Sequence, residues 1–126
     1  MDLQKLRFAK THEWISTDGK VGISDHAQKE ITDVVFVDLP SVGKQIEKQN
    51  EAGTIESVKA AFPIYAPANG TVEEINNNVA NDAALVNQSP YENGWLFKLK
   101  IKNPEELNAL MTHDQYQDFL KTETHH

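Results

Sequence analysis

Lys59 is the side chain whose surroundings best suit covalent chemistry. It lies in the stretch Glu56-Ser57-Val58-Lys59-Ala60-Ala61, between two segments of strand-forming composition, 54–58 and 64–66. Small neighbours and a strand on each side predict a hairpin tip where a modifying enzyme reaches the ε-amine and the strands give an attached arm a fixed root. Because surface lysines at hairpin tips are common, the residue types alone leave an ordinary solvated lysine as the alternative.

Other side chains that could do chemistry lack the partners that such chemistry requires. The chain has no cysteine, which excludes disulfides, thiolate zinc sites and cysteine nucleophiles. His12, His26 and His113 show no metal-binding spacing such as H-E-x-x-H, so no metal site is predicted. A small hydrolase using His12 and Glu13 is disfavoured, because no paired nucleophile or oxyanion-type glycine motif accompanies them.

The charge balance limits the partners. Nineteen acidic and twelve basic residues give a net charge of −7, so we expect no nucleic-acid or anionic-membrane partner and attraction toward basic protein surfaces. No segment approaches the roughly 20 apolar residues of a membrane span. The first residues lack the pattern of a signal or transit peptide. We therefore expect a cytoplasmic protein. We also expect it to be a monomer.

Glycine and proline divide the chain into short elements that would have to position Lys59. A hairpin around Asp18-Gly19 is predicted within 14–23, followed by a helix over 25–31 that Ser24 caps. Further strands are predicted at 34–39, 54–58, 64–66, 71–75 and 95–101. The last of these has apolar residues at alternate positions, as in a half-buried strand.

The C-terminal part changes from strand to helix patterns. Asn103-Pro104-Glu105-Glu106 combines a cap with a proline at the first helical position, and Thr112-His113-Asp114-Gln115 is a capping box. Two short helices are predicted, with residues 121–126 as a frayed tail. The 126 residues suit one domain, 1–126, with a core of about residues 6 to 120. The expected fold is mostly β, a small barrel or sandwich with appended helices.

Glu56-Ser57-Val58-Lys59-Ala60 resembles the lipoylation motif of the glycine cleavage H proteins. The similarity extends over nearly the whole chain, because several other stretches resemble motifs of this family in the family's order. These stretches are Thr11-His12-Glu13-Trp14, Gly22 to Gln28, Val34 to Pro40, Tyr65-Ala66-Pro67, Asn69-Gly70, Val86 to Tyr91 and Gly94-Trp95-Leu96.

The resemblance implies a hybrid barrel-sandwich lipoyl domain that bears lipoate on Lys59, on a hairpin turn. Such a carrier is not an enzyme, because the chemistry belongs to the cofactor and the partners. The implied partners are a pyridoxal-phosphate glycine decarboxylase, a folate-dependent aminomethyltransferase, a dihydrolipoamide dehydrogenase, and a lipoyl ligase or transferase.

In similar proteins a residue pair before the tryptophan helps to line a cleft that shelters the loaded arm. This places His12 and Glu13 in the cleft, where a carboxylate could hold the aminomethyl ammonium by a charge-assisted hydrogen bond. His26 is a further lining candidate. The alternative is that His12 and Glu13 are exposed residues at a strand end.

The chain departs from the family in the hairpin 15–23, which is a few residues shorter than usual, and at Phe62-Pro63, where polar residues are frequent. Rival carriers are a lipoyl domain of a 2-oxoacid dehydrogenase, a lipoate relay protein and a biotin carrier. The first typically has Asp-Lys-Ala where this chain has Val58-Lys59-Ala60, and the last has methionines beside the lysine. A rival of another class is an unmodified interaction module with the same fold.

Overall fold

The computed structural model describes residues 2–123, which form two antiparallel sheets. The six-stranded sheet has the order β1-β2-β3-β9-β8-β5, and the three-stranded sheet the order β4-β6-β7. The strands are β1 (Arg7–Phe8), β2 (Glu13–Ile15), β3 (Lys20–Ile23), β4 (Val34–Asp38), β5 (Gln45–Ile46), β6 (Glu51–Ser57), β7 (Ala61–Tyr65), β8 (Gly70–Ile75) and β9 (Phe97–Ile101). The predicted mostly-β fold is confirmed.

Within residues 2–123, four α-helices and two 3₁₀ segments connect or cover the strands. The helices are α1 (Asp25–Ile31), α2 (Asn77–Asn81), α3 (Leu85–Gln88) and α4 (His113–Glu123), and the 3₁₀ segments are Leu3–Lys5 and Pro104–Ala109. Ser24 caps α1 as predicted, because its side chain accepts the N–H of Ala27. The capping box also forms: Gln115 N–H donates to the Thr112 hydroxyl, and the Gln115 amide accepts the Thr112 N–H.

Several predicted elements differ from the observed ones. The strand predicted at 64–66 begins at Ala61 and ends at Tyr65. Strand β6 begins at Glu51, three residues before the predicted start, because its polar residues pair along β7 from Glu51↔Tyr65 onward. Strand β9 begins at Phe97, since Leu96 is buried and breaks the alternation. The first C-terminal helix is a 3₁₀ segment.

The tail prediction is corrected in part. Helix α4 continues to Glu123, beyond the predicted start of fraying at residue 121, and the Glu123 carboxylate lies 3.2 Å from His12 Nε2. The remainder of the predicted tail, 124–126 with the pair His125-His126, lies outside the described residues. Within 2–123, no helix combines the length and apolar character needed to cross a bilayer.

Two apolar clusters hold the sheets and helices together. The larger one includes Ile23, Ile31, Ile55 and Leu99, and the smaller one consists of Leu6, Phe8, Trp14 and Tyr116. In the smaller cluster the Tyr116 ring stacks on Phe8 with centroids 4.6 Å apart, which fixes α4 against β1. Close packing of this kind makes the positions of side chains on β2 and α4 depend on each other.

Candidate functional site

Lys59 lies on the three-residue turn that joins β6 to β7. Ser57 organises this turn, since its hydroxyl accepts the N–H groups of Lys59 at 3.1 Å and Ala60 at 3.3 Å. The Val58 N–H donates to the carbonyl of Asp33 at 3.0 Å, which ties the turn to the start of β4. The backbone of the tip is thereby fixed while the Lys59 side chain remains exposed. This is the arrangement that a covalently attached arm requires.

A cavity of about 360 Å³ opens beside this lysine. Lys59 and Glu30 lie among its lining residues, and His12 and Glu13 line it as well. Most of the other walls are apolar side chains from β3, α1, β6 and β7, namely Ile23, Ala27, Ile31, Ile55, Phe62 and Pro63. Phe62-Pro63, the stretch that departs from the family pattern, therefore forms part of the wall beside the lysine turn.

Glu13 is buried within β2, with 1% of its surface exposed, which rules out the alternative of an exposed strand-end residue. Its carboxylate accepts the Tyr65 N–H at 3.1 Å and a short hydrogen bond from the Thr11 hydroxyl. Burial raises the pKa of Glu13 to about 7, although both hydrogen bonds oppose the shift. Within the described residues no basic side chain forms an ion pair with it. A buried carboxyl at a cavity wall without a cationic partner is suited to receive an ammonium group.

His12 precedes Glu13 in a left-handed backbone conformation, with φ of 80°. Its Nδ1 lies 2.7 Å from the Tyr116 hydroxyl, which also lies 2.6 Å from the hydroxyl of Ser24. Burial raises the pKa of Tyr116 well above its ordinary value, so this hydroxyl stays neutral. The network joins the segment before β2 and the start of α1 to helix α4.

His26 was predicted to line the cleft together with His12 and Glu13. It is not among the residues that line the cavity. Its ring centroid lies 5.2 Å from that of His12, and its Nε2 lies 3.0 Å from the Glu30 carboxylate. His26 therefore lies next to a lining residue but does not itself line the cavity. Among residues 2–123, no three histidine or carboxylate side chains are grouped as a metal ion would require.

Thr11, Tyr65 and Tyr116 form hydrogen bonds with the predicted pair at the site, and none of them was predicted as a site residue. Thr11 is adjacent to the predicted pair, so a hydroxyl two positions from Glu13 could have indicated the hydrogen bond. Tyr65 contributes its backbone N–H, which gives no residue-type signal. Tyr116 reaches the site from α4, and nothing in its local sequence indicates that contact.

Two antiparallel sheets and a fixed hairpin turn present Lys59 beside a cavity, which is the arrangement of a lipoyl-type carrier domain. The family model of the glycine cleavage H protein matches residues 6–123. The chain belongs to this family.

Curated relatives and a solved structure agree with the assignment. The chain is 48% identical over 120 residues to the glycine cleavage system H protein of Endomicrobium trichonymphae, covering 93% of this chain and 97% of the relative. It is 48% identical over 127 residues to the mitochondrial H protein of Drosophila melanogaster, covering 98% of this chain and 77% of the relative. The crystal structure of an H protein from Mycobacterium marinum superposes with a TM-score of 0.83 at 31% identity, over 91% of this chain and 95% of that one.

These findings confirm the hybrid barrel-sandwich fold and the family predicted from the sequence motifs. The protein is a lipoyl carrier subunit of the glycine cleavage system and is not itself a catalyst. The rival lipoyl domains, the biotin carrier and the hydrolase are thereby set aside.

Proposed function

We propose that Lys59 is the lipoyl-bearing residue and that the arm carries the aminomethyl group of glycine between enzymes. The observation that carries this proposal is the placement of Lys59 on the fixed β6–β7 turn, at the edge of the cavity that Glu13 lines. Glu56, Ser57, Val58 and Ala60 complete the attachment motif, and Ser57 holds its backbone.

For the partners we propose the enzymes that the family implies. The arm would receive its cargo at a pyridoxal-phosphate glycine decarboxylase, deliver it to a folate-dependent aminomethyltransferase and be reoxidised by dihydrolipoamide dehydrogenase. A lipoyl ligase or transferase would attach the arm. The cytoplasmic location, the monomeric state and the single domain 1–126 remain predictions from the sequence.

The residues of the cavity fit a lipoyl group, because an exposed amine is available for the amide bond and apolar walls lie beside it. When bound, the group would supply a disulfide that is reduced as one sulfur takes up the cargo, and a dithiol that is reoxidised once the cargo has left. Glu13 would hold the ammonium of the cargo by a charge-assisted hydrogen bond. Ile31, Ile55 and Phe62 would exclude water, which suppresses loss of the cargo as formaldehyde.

The attachment site is tested by intact-mass spectrometry after incubation with lipoate, ATP and a lipoyl ligase. Wild type and the control Lys44→Ala, an exposed lysine on another loop, should each gain one lipoyl increment. Lys59→Ala should gain none. Lys59→Arg should also fail, because a guanidinium is not deprotonated to a nucleophile in proteins. A lipoyl increment on Lys59→Ala would refute the assignment.

A further inference from the structure

An exposed apolar surface lies next to the lysine turn. Val35, Phe36 and Val58 are 59%, 52% and 68% exposed, and these three residues are called the β4 patch below. Single exposed apolar residues are ordinary, whereas a contiguous group of them on a protein surface frequently marks an interaction site. The cavity and its lining residues do not account for this group, since none of the three lines it.

A β-bulge produces the patch. Val34 pairs with Ser57 and Phe36 with Glu56, so Val35 is an extra residue without a partner on β6. Regular alternation would bury Phe36, but the bulge turns Val35 and Phe36 outward together while Val34 and Val37 remain buried. β-Bulges redirect side chains in this way, and they are functional features of a fold and not defects.

The patch is continuous with the attachment site. The Val58 N–H donates to Asp33 just before β4, and Val58 directly precedes Lys59. On the same sheet, Phe36 lies opposite Glu56, three residues before the lysine. The carboxylates that border the patch are exposed: Asp33, Asp38 and Glu56. Beside Lys59, this surface therefore has an apolar centre and an acidic border.

We propose that the β4 patch docks the enzyme that attaches lipoate to Lys59, through an apolar socket with a basic border on that enzyme. The inference rests on the proposed function of Lys59. An enzyme that forms a bond at the lysine nitrogen must cover the hairpin tip, and a specific interface spreads over about 800 Å² on each partner. Enzymes that act on the far end of the arm do not have to cover the tip. The acidic border and the net charge of −7 complement a basic partner surface.

The test compares lipoate attachment to the unmodified protein in the double variant Val35→Ser/Phe36→Ser and in Val42→Ser. Val42 is a matched control, since it is also an exposed valine, with 60% of its surface accessible. It lies beside Gly43, whose N–H donates to the Val72 carbonyl in the six-stranded sheet, whereas β4 belongs to the three-stranded sheet. Initial rates are measured by intact mass against protein concentration, with a lipoyl ligase, lipoate and ATP. The double variant should lose at least about tenfold in kcat/KM through a higher KM, because its interface contacts are truncated. Val42→Ser should match wild type.

Equal kcat/KM for the double variant and wild type would overturn the proposal, as would a loss confined to kcat. Normal attachment combined with weaker binding to the glycine decarboxylase would assign the patch to that enzyme instead, and would also overturn it. Thermal unfolding checks that both variants fold. If the double variant does not fold, the same rates are measured with the single variants Val35→Ser and Phe36→Ser. Failure of Lys59 to accept lipoate in wild type would defeat the proposed function, whereas normal labelling at equal rates would defeat only the docking surface.

Discussion

The hydroxyl of Tyr116 lies 2.7 Å from Nδ1 of His12, although 104 residues separate them in the chain. The same hydroxyl lies 2.6 Å from the hydroxyl of Ser24, which caps α1. The segment before β2 and helix α1 both contribute residues to the lining of the cavity beside Lys59, so one side chain of α4 is joined to both. Its own position is fixed by stacking on Phe8.

If Tyr116 positions the cavity walls, Tyr116→Phe should accelerate loss of the aminomethyl group from the loaded arm. The ring would still stack, while about 1 kcal/mol of hydrogen bonding would be lost, so formaldehyde release should rise roughly three- to tenfold. The control is Tyr91→Phe, which removes a hydroxyl bonded to the Asp25 N–H at the same end of α1 but without contact to His12. A general loss of stability would change release equally in both variants and would contradict the positioning role.

Glu13→Gln tests the cargo contact itself. Lipoate attachment should be unchanged, because Glu13 lies away from the lysine turn on β2. Release of formaldehyde in the absence of the transferase should accelerate, since a charge-assisted contact contributes about 1.5–3 kcal/mol, less where water enters. Glu30→Gln, at the exposed edge of the same cavity, should release at the wild-type rate. Equal release from Glu13→Gln and wild type would remove Glu13 from this role.

The raised pKa of Glu13 predicts a pH dependence of stability in the unloaded protein. The folded state holds the Glu13 proton up to pH about 7, while the unfolded state loses it near 4.5. Between these values the folded state binds more protons, so the free energy of unfolding falls as pH rises and levels off above about pH 7. At about 1.4 kcal/mol per pH unit the full effect is on the order of 3 kcal/mol.

Urea unfolding of wild type and Glu13→Gln at pH 4.5 to 7.5 measures this effect, because contributions from other groups cancel in the difference. Wild type should lose stability relative to the glutamine variant across this window. A difference that stays constant from pH 4.5 to 7.5 would show that the pKa of Glu13 is not raised.

The acidic surface predicts salt-dependent association with the decarboxylase. Glu30, Asp33 and Glu56 lie exposed near the lysine turn, and attraction between such charges is screened beyond about 8 Å at physiological salt. Raising the salt should slow association of the lipoylated protein while changing dissociation much less. Stopped-flow measurements across a salt series test this.

Glu30→Gln/Asp33→Asn should flatten the salt dependence, whereas Glu105→Gln/Asp118→Asn, an equal charge change on exposed residues elsewhere, should not. An association rate that is flat across salt in wild type would mean that shape and apolar contact govern docking. The acidic residues would then contribute to solubility alone.

The sequence by itself determined the elements that depend on a few neighbouring residues. The turn at Asp18-Gly19 follows from a glycine that adopts φ of 96°, and the starts of α1 and α4 follow from side-chain caps. The strands on both sides of Lys59 follow from composition and place the lysine on a turn. Helices α2 and α3 were not predicted, because five- and four-residue helices carry too little periodicity to be recognised.

Only the tertiary structure decided the environment of the site. Whether Glu13 is exposed or buried depends on Tyr65, 52 residues away, and on the fold that brings β7 beside β2. The bulge that exposes Phe36 depends on the register with β6, since the local pattern of β4 suits a regular strand equally well. Burial, pKa and register are set by distant contacts, and those contacts exist only after the chain has folded.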